Sequence, residues 1–235
     1  MSDELRYFVY FDFETGGLNP YPPTYAEPIE LAAILLKEQP DGPPKRLTSF
    51  GPILMKVQHP KNLNARALGV NGKTAEEVMA GVDPEQAFLD FAFWLAVHTG
   101  GKKVYPVAHN AKFDILFMRW AWDKYVQTPG FETVWNHNDV CTANQVFFRK
   151  VLIEKTLKFA RLQRVSEYYG IEHEAHTAMG DVLVGTKLFE LLWEETLRPD
   201  LKLVLRNHAN KIGITQLRAL VDDILAGLER GSDSG

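Results

Sequence analysis

Four carboxylates and one histidine stand in three short, widely separated segments: Phe11-Asp12-Phe13-Glu14-Thr15, Ala108-His109-Asn110-Ala111-Lys112-Phe113-Asp114 and His176-Thr177-Ala178-Met179-Gly180-Asp181. Gathered in one cleft, such acids are the oxygen donors that hard divalent cations take. Asp12 and Glu14 are two apart at the end of an aromatic and β-branched run, Arg6 to Phe13, which reads as a buried strand. Strand side chains alternate, so both carboxylates turn to the same side of the sheet at the strand's carboxyl end. Two acids there repel each other and resist desolvation, and a divalent cation is the natural stabilising group. A strand edge with two solvated acids is the plainer alternative.

Asn110 and Asp114 are four apart, so they lie about 40° apart on one helical face if the turn has begun at Asn110. Asn110 as a helix cap with a solvated Asp114 behind it is the competing reading. His176 and Asp181 are five apart, and a continuous helix would separate them by about 140°. They can share a site if His176 lies on a loop or first turn and Asp181 one turn into the following helix, a placement that suits a mobile general base. His173, in the same loop, has no role visible in the sequence. The run His173-Glu174-Ala175-His176 also invites a zinc reading, but it lacks two histidines at helical i, i+4 spacing.

The elements that must position these residues are expected as strands at 6–13, 29–38, 46–57, 104–108 and 132–138. Helices are expected at 74–79, 84–98, 113–125, 141–150, 156–169 and 177–197. The proline-rich stretches Pro20 to Pro28 and Pro40 to Pro44 read as loops between the first three strands. Early strands joined by loops, then strands alternating with helices, fit an α/β protein built on a mixed sheet.

Together the three segments resemble the motifs of the DEDDh 3′-to-5′ exonucleases, a DnaQ-like group that includes proofreading subunits of bacterial replicative polymerases, ribonuclease T and oligoribonuclease. The resemblance runs over roughly residues 7 to 195. It extends to Pro28-Ile29-Glu30-Leu31-Ala32-Ala33-Ile34 as the second strand and Ala67-Leu68-Gly69-Val70-Asn71-Gly72 as a linker before a helix. Gly16-Gly17 departs from the more usual threonine and glycine after the Glu-Thr pair.

The resemblance implies a ribonuclease H-like fold, a mixed five-stranded sheet flanked by helices, and two-metal phosphodiester hydrolysis with Mg²⁺ or Mn²⁺. On that pattern Asp12 bridges both cations, Glu14 and Asp181 complete the nucleophile-side site, and Asp114 serves the leaving-group side through water. His176 takes the proton from the attacking water. Thr15 and Leu18 occupy the positions that meet the terminal nucleotide, by main chain and by an apolar wedge. Asn110 and Phe113 are further substrate-binding candidates, with core packing the alternative for Phe113.

Composition bounds this reading. The chain has 235 residues, 46% of them hydrophobic, enough for one substantial α/β core with an appendage. A net charge of −4 excludes a protein that coats nucleic acid along its length and suits one that grips a strand end. A local basic run is present nonetheless: Arg149, Lys150, Lys155, Lys158, Arg161 and Arg164 against the single acid Glu154. The single cysteine, Cys141, rules out an internal disulfide framework. No stretch is long enough to span a membrane, and the acids in Met1 to Tyr10 are unlike a signal peptide, so a soluble, cytoplasmic protein with no membrane partner is expected. Residues 1–197 read as the exonuclease domain. Residues 198–235 read as an amphipathic helix (Leu217, Leu220, Val221, Ile224, Leu225, Leu228) with a disordered tail. The expected substrate is single-stranded DNA with a 3′ end. An RNA 3′-end trimmer or a proofreading partner of a DNA polymerase are the alternatives, and a polymerase or a second copy of the chain are partner candidates.

Overall fold

The computed structural model describes residues 5–197; the leucine-rich segment expected after residue 198 lies outside the described residues. Residues to Leu192 belong to one compact unit. The first strand, β1 (Tyr7–Thr15), is central. It pairs antiparallel with β2 (Pro28–Lys37) and parallel with β4 (Val104–Ala108). Beyond these, β3 (Lys45–Leu54) and a two-residue β5 (Val140–Cys141) complete a mixed sheet of order β3-β2-β1-β4-β5. β1 and β2 are apolar almost throughout because both their faces are covered, whereas the edge strand β3 carries exposed Lys45 and Arg46.

The alternation of β1 sorts its side chains between two layers. Val9, Phe11 and Phe13 face α3 (Pro84–Thr99) and α4 (Ala111–Ala121), packing with Phe88, Phe91, Leu95, Phe117 and Met118. α3 is delimited by its local chemistry: Asp83 caps it, Pro84 starts it, and Gly100 ends it in the left-handed conformation. Phe8 and Tyr10 face the opposite layer, formed by α6 (Thr142–Val146), α7 (Leu162–Tyr169) and α8 (Ala178–Leu197). There Phe8 lies 5.5 Å from the Phe189 ring. Tyr10 lies so close to α8 that a Cβ on Gly185 would fall 2.0 Å from its hydroxyl oxygen. Only glycine permits this approach.

The sequence expectations hold for β1 to β4, α3, α4 and α8 within a few residues and fail in four places. The stretch expected as a strand at 132–138 is a short helix, α5 (Phe131–Val134), and β5 follows it. Phe131 and Trp135 are both buried, four apart, and their rings stack at 5.6 Å, a helical pairing that a β-rich composition concealed. The helix expected from 156 begins only at Leu162, because residues 154–161 run irregularly, with Lys155 at φ 56°. The helix expected at 141–150 ends at Val146 and continues as a π-helical turn, Phe147–Ile153. The linker around Ala67 is itself a helix, α1 (Ala65–Asn71), capped by Asn64 and followed by α2 (Ala75–Met79). No described helix is long and apolar enough to cross a membrane.

Candidate active site

Asp12 and Glu14 follow Phe8 and Tyr10 on the same face of β1, so their carboxylates look toward the first turn of α8, which carries Asp181. Ligand oxygens of Asp12, Glu14 and Asp181 all lie within 4.8 Å of one another. Asp114, on the first turn of α4, comes from the other layer and is held at the end of β1, where its Oδ1 accepts the Phe13 N–H at 3.3 Å. All four acids foreseen from the sequence therefore converge.

The cluster is electrostatically unfavourable alone. Burial and then the charges of Asp114, Asp181, Glu14 and Glu30 hold the Asp12 carboxyl well above its ordinary range. Glu14, nearly buried, is pushed up to about 7 by desolvation and by Asp181 and Glu30, with Lys73 opposing. Asp114 is pushed up to about 8, mainly by desolvation, despite the stabilising N–H of Phe13. Carboxylates that retain protons near neutrality at such close range are the donor set of a hard divalent cation, which displaces those protons. The residues present thus fit a metal.

Two supports went unforeseen. Glu30, opposite Glu14 on β2, accepts the N–H of Ala178 at 3.0 Å and pairs with Lys73 Nζ at 3.0 Å. It pins the N-terminus of α8, and with it Asp181, to the sheet. An acid inside the otherwise apolar run of residues 28–36 was its signal in the sequence. His173, which showed no role in the sequence, places Nε2 2.5 Å from Asp181 Oδ1, with Ser166 Oγ 3.4 Å from its other ring nitrogen. An imidazole in that position orients a ligating carboxylate. Nothing short of the folded loop reveals it, since the loop bends back over α8. Gly180 allows that bend: a Cβ there would meet the Glu174 carbonyl oxygen at 2.1 Å.

His176 is exposed in the turn before α8, at φ 66°, and among the described residues it has no hydrogen-bond partner. This left-handed conformation is unusual outside glycine, and the side chain it carries is open to solvent. Leu18 is 82% exposed, so it is no core residue. Thr15 is buried; its hydroxyl donates to the Gly17 carbonyl at 2.7 Å, and its own carbonyl accepts Asn71 Nδ2 at 3.2 Å. These bonds shape the loop that presents Leu18. Asn110 sits at the cap position of α4 but is exposed, and its side chain makes no capping hydrogen bond. Phe113 is partly buried, its ring 5.0 Å from Phe117, so much of it belongs to the core.

A family model described as an exonuclease, of the RNase T type, matches residues 9–189. The chain belongs to the RNase T exonuclease family. No curated protein matches it. Among solved structures it is similar to Escherichia coli exonuclease I bound to a 5cy-dA13 oligonucleotide (TM-score 0.62, 20% identity, 92% of this chain and 45% of that one). It is also similar to the zinc-bound form of that enzyme's single-stranded DNA complex (TM-score 0.59, 22% identity, 92% and 45%). Exonuclease I from Methylocaldum szegediense is a further likeness (TM-score 0.61, 16% identity, 86% and 43%). This exonuclease-family chain thus has the ribonuclease H-like fold and spans less than half the length of the structures it matches.

Proposed function

We propose that the chain is a metal-dependent 3′-to-5′ exonuclease that removes nucleotides from single-stranded DNA. The observation that carries this reading is the convergence of Asp12, Glu14 and Asp181 within 4.8 Å, with Asp114 fixed beside them. The exonuclease I structures bound to single-stranded DNA support the choice of substrate.

Asp12, Glu14 and Asp181 would hold one divalent cation, and Asp12 with Asp114 a second. Such cations acidify the attacking water and stabilise the leaving oxygen. Water attacks the terminal phosphorus; the bond to the 3′-oxygen of the preceding nucleotide breaks, and a 5′-mononucleotide departs. His176 takes the proton from the attacking water, and solvent returns one to the leaving oxygen. His173 keeps the Asp181 carboxylate aimed inward. Leu18 packs against the terminal base, while the Thr15 main chain and Asn110 meet the sugar end. Mg²⁺ and Mn²⁺ are the cations that this oxygen set takes.

The test is hydrolysis of matched DNA and RNA oligonucleotides, labelled at either end, with Mg²⁺ or Mn²⁺ and again in EDTA. Loss of single nucleotides from the 3′ end of DNA is expected, abolished by EDTA and by Asp12→Ala. Undiminished hydrolysis in EDTA refutes the metal reading. Preferred cleavage of RNA, or activity appearing only with a polymerase added, refutes the substrate assignment.

A further inference from the structure

The irregular segment before α7 takes no part in the chemistry above. Its Leu157 and Ala160 pack inward on Val146, Val165, Leu188 and Leu192. The Ala160 carbonyl accepts Nε2–H of His109 at 2.6 Å, and His109 directly precedes Asn110. The segment is thereby fastened to the rim of the cleft. Between and after these anchors, Lys158, Phe159 and Arg161 turn outward. The Phe159 ring is 52% exposed, with Lys158 Nζ 5.5 Å and Arg161 Cζ 5.7 Å from its centroid.

These two cations, like Lys155, differ from the other three members of the basic run. Arg149 and Lys150 share Glu154, and Arg164 holds Glu167. Among the described residues Lys158 and Arg161 have no carboxylate partner. A single exposed phenylalanine is ordinary. One clasped between two cations without acidic partners, on a strip anchored beside a cleft, combines a π-face with phosphate-binding charge, the pairing that single-stranded nucleic acid requires.

We propose that Lys158, Phe159 and Arg161 form a base-stacking platform for a nucleotide of the single strand outside the catalytic pocket, a proposal that rests on the reading of the site as a nucleic-acid phosphodiesterase. The ring receives the face of a base, and the two cations meet the phosphates on either side. Stacking of this kind accepts any base, so the platform holds the strand without reading its sequence.

The test uses the full chain and a fluorescein-labelled oligothymidylate of about twelve nucleotides, enough to extend from the pocket across the platform. Anisotropy is measured in EDTA, so that binding is read without hydrolysis. Phe159→Ala is expected to weaken binding roughly five- to hundredfold, with Phe159→Tyr restoring it. Replacing Lys158 and Arg161 by alanine together should reduce the salt-dependence slope by about 1.4. Phe93→Ala is the control, because that ring is also exposed but lies on α3, across the sheet. Hydrolysis of thymidine 5′-(p-nitrophenyl phosphate) with Mn²⁺ should be unchanged in Phe159→Ala, since this ester has no second base to stack. Wild-type affinity in Phe159→Ala overturns the proposal, as does an equal loss on the nitrophenyl ester, which would mark a structural role. If the wild-type chain hydrolyses neither the nitrophenyl ester nor the oligothymidylate when Mn²⁺ replaces EDTA, the phosphodiesterase reading fails, while anisotropy in EDTA still decides for or against the platform.

Discussion

Replacing Glu14 by glutamine should stabilise the metal-free protein at neutral and alkaline pH. Glu14 is 8% exposed, and its carboxyl is pushed from 4.5 up to about 7, chiefly by burial and then by Asp181 and Glu30. Below about pH 4.5 the group is protonated in folded and unfolded chains alike, and it has no effect on the balance between them. As pH rises toward 7 the unfolded chain ionises first, so the folded state loses stability until Glu14 ionises there too. The gap between 4.5 and about 7 corresponds to about 3 kcal/mol, at about 1.4 kcal/mol per pH unit. Glu14→Gln keeps the shape and removes the charge. Its melting temperature in EDTA should match wild type at pH 4.5 and exceed it by up to about 10 °C at pH 8, since about 1 kcal/mol moves a chain of this size by about 2–4 °C. Adding Mn²⁺ should reverse the order, because the wild-type chain then gains the ligand that the variant lacks. Thermal unfolding by circular dichroism across pH 4.5 to 8 reads all of this. A variant less stable than wild type at pH 8 in EDTA, or a difference independent of pH, would refute the argument that Glu14 is held against its own repulsion and desolvation.

Other substitutions separate the remaining roles. Leu18→Ala should raise KM on oligonucleotides several-fold while leaving the melting temperature and Mn²⁺ affinity unchanged, as befits a side chain 82% exposed; a lowered melting temperature would assign Leu18 to the core. His176→Ala should lower kcat by roughly 10² or more with Mn²⁺ affinity near normal by calorimetry. His173→Ala should instead weaken Mn²⁺ binding about 10- to 100-fold, because His173 orients Asp181; the opposite pattern would exchange their roles. Lys73→Met should destabilise the protein by about 3 kcal/mol at neutral pH, by leaving Glu30 buried without its cation, and an unchanged urea midpoint would show that the pair contributes nothing.

The candidate site residues were readable in the sequence to the extent that local spacing dictated their direction. Asp12 and Glu14 share a face because a strand has period two, and Asp181 reaches them from the first turn of the helix that follows His176. What supports them was hidden because it depends on contacts far apart in sequence. His173 meets Asp181 only after the loop folds back over Gly180, and Glu30 meets Ala178 across 148 positions. The lost strand at 132–138 failed for a similar reason: the β-rich composition of residues 131–135 was outweighed by the burial of Phe131 and Trp135 on one side of a turn. The basic run read as one feature and divides into two, since the acids that neutralise part of it lie on particular turns.

Gly185 sits one helical turn beyond Asp181, where α8 comes so near Tyr10 that no side chain fits. The closeness of that contact governs how near the first turn of α8, with Asp181, lies to Asp12 and Glu14 on β1. Mg²⁺ takes oxygens at about 2.0–2.1 Å and Ca²⁺ at about 2.3–2.6 Å, a difference of tenths of an ångström that a slight outward tilt of the helix would supply. A methyl group at Gly185, one turn from Asp181, would meet the Tyr10 hydroxyl at 2.0 Å and force a shift well beyond those tenths, which would draw Asp181 away from Asp12 and Glu14. The fit of the proposed site to its cation would thus rest on a residue beneath it that contributes no side chain.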